Sequence, residues 1–168
     1  MRPRVGISSC LLGQEVRWDG RHRRSEAVLA LARQVEWVPV CPEVEVGMGV
    51  PREPVRLVGP RERPRMIARS GADWTDRMEA WAEARLDALG DLDGYVLKAG
   101  SPSCGLAGVP IAGEAGGAPG AGLFCAALRR RHPALPVAEE TSLADEHQRE
   151  RFLAEARARA RARARPRR

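Results

Sequence analysis

Arg4-Val5-Gly6-Ile7-Ser8-Ser9-Cys10 opens the chain with a short apolar run that ends on a thiol. It reads as a buried strand. The same pattern returns twice: Val35-Glu36-Trp37-Val38-Pro39-Val40 runs into Cys41, and Gly94-Tyr95-Val96-Leu97-Lys98 runs into Gly100-Ser101-Pro102-Ser103-Cys104-Gly105. Pro39 cannot donate to a ladder, which predicts an edge position or an irregular strand end. Helical stretches separate these strands. Residues 25–33 form a helix with Ser25 as N-cap. Asp73–Leu89 is a second helix, with Trp74, Met78, Trp81, Ala82, Leu86 and Leu89 at spacings of three and four and Gly90 at its C-cap. That Met and Trp stripe is a core face. A third helix from about Leu123 to Arg131 carries Cys125, and a short strand near 135–138 closes the body. Residues 47–71 read mostly as loop, and 112–122 as a glycine-rich connection. Strand and helix alternate, which predicts an α/β fold: an open, largely parallel sheet flanked by helices, with the cysteines at the carboxyl ends of strands.

The chain has 168 residues, 43% of them hydrophobic, enough for one domain with a real core. No apolar run reaches the roughly 20 residues of a membrane span. The start is too short and polar in its apolar part for a signal peptide, so a soluble, cytoplasmic protein is expected. The net charge of +6 is unevenly placed. Lys98 is the sole lysine among 28 basic residues, and from residue 148 onward nine arginines face only Glu150 and Glu155. Residues 1–147 therefore carry a net −1, and the pI near 10.0 comes from the end of the chain. The expected division is a body over residues 1–140 and an Arg/Ala-rich tail, helical or disordered, over 141–168.

Four widely separated cysteines without a CxxC pair give no zinc-ribbon or thioredoxin signature, and no disulfide framework. Cys10, Cys41 and Cys104, spaced by 31 and 63 residues, each fall beyond a strand's carboxyl end, the edge where open parallel sheets bind ligands. Three converging thiolates would suit zinc or an iron–sulfur cluster with one coordination position open. Ordinary reduced cysteines are the competing reading. Cys125, inside a helix, reads as packing. Glu43, two residues after Cys41, borders the same edge and is a candidate general acid or base. Ser101 and Ser103 flank Pro102 in the turn before Cys104, and turn serines also serve local hydrogen bonding. Asp19-Gly20 and Pro51-Arg52-Glu53 are loop segments within possible reach.

These motifs resemble those of a known family. Ser9-Cys10-Leu11-Leu12-Gly13 with Val16-Arg17-Trp18-Asp19-Gly20, Val38-Pro39-Val40-Cys41-Pro42-Glu43-Val44-Glu45 with Gly47-Met48-Gly49-Val50-Pro51-Arg52, and Leu97-Lys98 with Ser101-Pro102-Ser103-Cys104-Gly105 stand in the order found in the thiouracil desulfidase family. Gly120-Ala121-Gly122-Leu123-Phe124 resembles a fourth motif. The resemblance implies a [4Fe-4S] cluster held by Cys10, Cys41 and Cys104, with one iron free for the sulfur of a thiolated pyrimidine base, nucleotide or transfer RNA (tRNA). It implies hydrolytic, non-redox loss of sulfide. It gives Glu43 the role of proton transfer and water activation, and Ser101 that of orienting substrate or water. Cys125 matches no ligand.

The stretch from Leu135 to Leu153 is similar to the junction in RudS-type fusions, where a YbgA-type domain follows and the substrate is 4-thiouridine in tRNA. After Phe152 this sequence turns to Arg-Ala repeats, so the second domain is expected to be truncated, and nonspecific RNA contact through the arginines is a further expectation. The alternative function is a non-catalytic RNA- or metal-binding protein with a structural cluster or none. A cysteine-nucleophile hydrolase would need a base near the thiol, and His22, His132 and His147 form no supporting pattern.

Overall fold

In a computed structural model the described residues are 1–113 and 118–165. The middle of the glycine-rich 112–122 connection and the last three residues of the tail lie outside them. Four strands, β1 (Arg4–Ser8), β2 (Glu36–Val40), β5 (Gly94–Leu97) and β7 (Val137–Glu139), form a sheet in the order β2-β1-β5-β7. Every neighbouring pair is parallel. β2 lies at the sheet edge, where Pro39 costs no interior ladder bond.

Each face of this sheet is covered. On one, Val5, Ile7 and Val96 pack with Val28 of α1 (Glu26–Leu29) and with Phe152, Leu153 and Ala156 of α5 (Glu146–Ala164). On the other, Val40, Tyr95 and Leu97 pack against α3 (Thr75–Leu89) and α4 (Leu123–Arg131). The expected α/β architecture is the one present.

Two local readings need correction. The helix expected over 25–33 stops at Leu29, although Ser25 Oγ does accept from Val28 N–H at 3.4 Å. Beyond it, Leu31 and Ala32 bond back only three residues, to Val28 and Leu29, so the chain tightens into turns instead of continuing the α ladder. The supposed loop 47–71 holds β3 (Val55–Val58) and β4 (Arg65–Ala68), antiparallel to one another. With β6 (Ile111–Ala112) they make a second sheet, whose Leu57, Met66 and Ile111 share a small core with Met78. Its prolines and glycines sit at the strand ends, which is why composition hid it.

The end of the chain is docked. Asp145 caps α5 by accepting from Gln148 N–H at 2.9 Å. Phe152, Ala156 and Ala160 form the buried stripe, while Arg159 Nε donates to the Leu92 carbonyl at 3.1 Å and Arg163 holds the fully buried Asp93 at 2.9 Å. Asp93 also accepts from Arg4 N–H at 2.8 Å. These anchors precede β5 and begin β1, so the arginine-rich end of α5 lies at the amino edge of the sheet.

Candidate active site

At the opposite, carboxyl edge, the loops after β1, β2 and β5 enclose a cavity of about 290 Å³. Cys10 sits in a single 3-10 turn (Ser9–Leu12) that ends at Gly13, whose φ of +93° suits a residue without a Cβ. The Cys10 carbonyl accepts from Arg23 N–H at 2.9 Å, folding the 14–24 loop back over the cavity. Cys41 caps the short helix α2 (Pro42–Glu45), and Glu45 Oε2 accepts from its N–H at 3.1 Å. Ser101 Oγ accepts from both Ser103 N–H (3.2 Å) and Cys104 N–H (3.0 Å), fixing the third cysteine's turn. Leu123 and Cys125, in the first turn of α4, donate to the Pro102 and Ser103 carbonyls at 3.0 Å and dock the turn on that helix. A Cβ at Gly122 would collide with the Ser103 carbonyl, so glycine is required there.

All five residues singled out by sequence, Cys10, Cys41, Cys104, Glu43 and Ser101, line this one cavity. Cys125 does not; it is buried in α4. None of the three histidines lines it either, so no histidine stands beside a thiol as in a cysteine hydrolase. Asp19 and Glu53 are engaged elsewhere, with Arg21 N–H and with Ser70.

Three further groups gain their partners only in the structure. Arg52 donates from Nε (2.9 Å) and Nη2 (2.7 Å) to Glu43 Oε2, and from Nη1 to the Val16 and Gly49 carbonyls. Ser103 Oγ donates to Glu43 Oε1 at 2.9 Å. Lys98 Nζ bonds the Ala99 carbonyl and Glu140 Oε1, each at 2.7 Å, beside the cavity. Arg52 stood within a quoted motif, but nothing in one sequence says that its guanidinium turns back nine residues to a carboxylate. At the rim, Trp18 is 43% exposed, and Arg17 and Arg23 share the wall.

Burial pushes the Cys10 thiol up to about 11, with the neighbouring Cys41 adding to it. Burial likewise raises Cys41, and Cys104 most strongly. Burial thus favours the protonated thiols, and a metal that bound them would have to displace those protons. All four cysteines are unbridged. No three His, Cys, Asp or Glu side chains among the described residues are arranged around a single ion. A cubane cluster asks for something else, because each thiolate binds a different iron and the sulfurs stand apart. Three separate thiols around one cavity, two buried and one half-buried, without a fourth cysteine beside them, fit such a cluster with one iron left open.

The fold and sequence are similar to those of known proteins. A [4Fe-4S]-dependent thiouracil desulfidase, TudS, has a structure similar to this one, with a TM-score of 0.66 and 33% identity, covering 85% of this chain and 94% of that one. The uncharacterized protein YbbK of Bacillus subtilis (strain 168) is 33% identical over 107 residues, 59% of this chain and 71% of that protein. Residues 5–140 match the family described as 2-thiouracil desulfurase, and the chain belongs to that family.

Proposed function

We propose that this chain is a [4Fe-4S]-dependent thiouracil desulfidase that replaces the sulfur of a thiolated uracil with oxygen from water. The observation that carries this reading is the convergence of three free thiols from adjacent strand ends on one cavity that also holds a clamped carboxylate. When bound to Cys10, Cys41 and Cys104, the cluster supplies a soft Lewis acid, its open iron, to the thiocarbonyl sulfur. A C–O bond forms as the C–S bond breaks, sulfur leaves as hydrosulfide, and no electrons are exchanged.

The protein's part follows from which lone pairs are free. Two Arg52 N–H groups occupy Glu43 Oε2, whereas Oε1 accepts only from Ser103 and keeps a site for the proton of water. Glu43 is thus the proton acceptor. Ser101 Oγ already accepts two backbone N–H groups, so its hydroxyl can act only as a donor. It orients the thiolated base. Trp18 offers a stacking face at the rim, with Arg17 and Arg23 placed to meet a phosphate. This arrangement extends the substrate range from thiouracil to its nucleotide and to 4-thiouridine in tRNA. The arginines of the last turns of α5 lie at the other edge of the sheet, so RNA held by them alone would not present its base to the cavity.

The test is anaerobic reconstitution with iron and sulfide quantification, followed by sulfide release from 2-thiouracil, 4-thiouracil and 4-thiouridine monophosphate. The expected result is about four irons per chain and sulfide release, both lost in Cys104→Ala. A protein without iron, or a loaded one that releases no sulfide from any of the three, returns the chain to the non-catalytic binding alternative.

A further inference from the structure

Tyr95 is fully buried, and its hydroxyl has no hydrogen-bond partner among the described residues. A buried phenol normally finds one. Its ring is fixed: it lies across Gly6, its register partner on β1, where any Cβ would strike the ring, and it packs against Phe124 at 5.6 Å. The hydroxyl therefore cannot swing away to another group. Cys104 lies in the same buried cluster as Tyr95 on this face of the sheet, and Glu45, Arg85 and Cys41 are the other charged or titratable groups that act on the phenol, which burial above all holds neutral. Glu45 is already engaged, one oxygen with Cys41 N–H and the other with Arg85 at 2.8 Å. Cys41 directs its sulfur at the Val16 carbonyl. What remains is Cys104, which as a neutral thiol is a weak acceptor but as an iron-bound thiolate is a good one.

We propose that the Tyr95 hydroxyl donates to the Cys104 sulfur when that sulfur is a cluster ligand, so that Tyr95 is a positioning residue acting through Cys104. The inference rests on the functional reading above. A hydrogen bond to a ligating sulfur draws electron density from it and stabilises the more negative cluster state. The same withdrawal makes the open iron a stronger acid toward the substrate's sulfur.

Tyr95 is the sole tyrosine of the chain, so growth on 3-fluorotyrosine labels this one position. The experiment reads ¹⁹F spectra of the metal-free and reconstituted labelled protein, and EPR-monitored reduction potentials of the wild type, the labelled protein and Tyr95→Phe. Thermal melts of the metal-free forms check folding. The expected results are a ¹⁹F resonance moved by loading, a potential more negative in Tyr95→Phe, and one more positive with the more acidic fluorophenol. Equal potentials in three fully loaded proteins, or a ¹⁹F signal unmoved by loading, overturn the role of Tyr95 alone. A wild type that takes up no iron overturns the functional reading and this inference together.

Discussion

Ser103 Oγ donates to Glu43 Oε1 at 2.9 Å, joining the turn before the third cysteine to the helix after the second across 60 residues of chain. Ser101, two residues earlier, does not touch Glu43; it gathers the backbone of the Cys104 turn. The two serines should therefore fail differently. In Ser103→Ala, Glu43 Oε1 loses its donor, iron content stays at the wild-type level, and kcat falls by roughly 10- to 100-fold, the worth of a hydrogen bond to a charged group. In Ser101→Ala two buried N–H groups lose their acceptor, so iron loading falls together with activity. Iron per chain measured beside sulfide release checks the distinction.

Arg52 is the next test. Its side chain is 6% exposed and that of Glu43 14%, so the pair is nearly buried. Arg52→Ala leaves a nearly buried carboxylate without its counter-charge and takes a donor from the Val16 and Gly49 carbonyls, which should cost about 3–5 kcal/mol. Urea unfolding of the metal-free protein measures it. A cost below about 1 kcal/mol would show that water replaces the guanidinium.

Arg163→Ala applies the same logic at the far edge of the sheet. Asp93 is fully buried and keeps only Arg4 N–H when Arg163 is gone. The expected loss is about 3 kcal/mol, near the low end for breaking a buried pair because Arg163 is itself partly exposed. Arg161→Ala, on the exposed face of the same helix, should change stability by less than about 0.5 kcal/mol.

The thiols set an alkaline limit for the metal-free protein. Burial pushes Cys10 and Cys125 up to about 11 from an ordinary value near 9. An acid raised in the fold binds its proton longer there than in the unfolded chain. Its contribution is complete below the unfolded value and is lost as pH rises through the folded one. Urea midpoints should therefore drop between pH 9 and 11, and less steeply in Cys125→Ala than in the wild type. A flat profile across that range would contradict the burial argument.

Trp18 separates substrate size from chemistry. Trp18→Ala should raise KM for a thiolated nucleotide by roughly tenfold, as expected for a lost stacking contact of 1–3 kcal/mol per base, while kcat changes little. Equal KM values in the two proteins would remove Trp18 from the substrate path.

The sheet and the cysteine edge were legible because two strands run almost directly into their thiols and the third cysteine follows its strand after a short turn, and a short apolar run needs only local residues to be read. The β3–β4 pair was not. Val55–Val58 and Arg65–Ala68 are only four residues each, with one arginine apiece and no sustained alternation, amid prolines and glycines whose turn chemistry dominates the composition. The docking of α5 was hidden in another way. Arg-Ala alternation suggests a period of two, yet Phe152, Ala156 and Ala160 recur every fourth residue, and the small alanines let the helix lie close. In the site, the residue types were readable but their partners were not. That Glu43 meets Ser103 and Arg52, and not Ser101, depends on how the turn after β5 seats on α4, a contact no local pattern encodes.

The placement of α5 also separates charge along the molecule. The arginines of its last turns, from Arg157 to Arg163, stand at the amino edge of the sheet, while the cavity opens at the carboxyl edge of a body with net charge −1. Long-range diffusional steering would draw an anion toward the wrong end. Capture at the cavity then depends on Arg17, Arg23 and Lys98 within a Debye length of the mouth. Part of the high isoelectric point thus comes from arginines that tie α5 to the scaffold, and the value is a poor guide to what the cavity attracts.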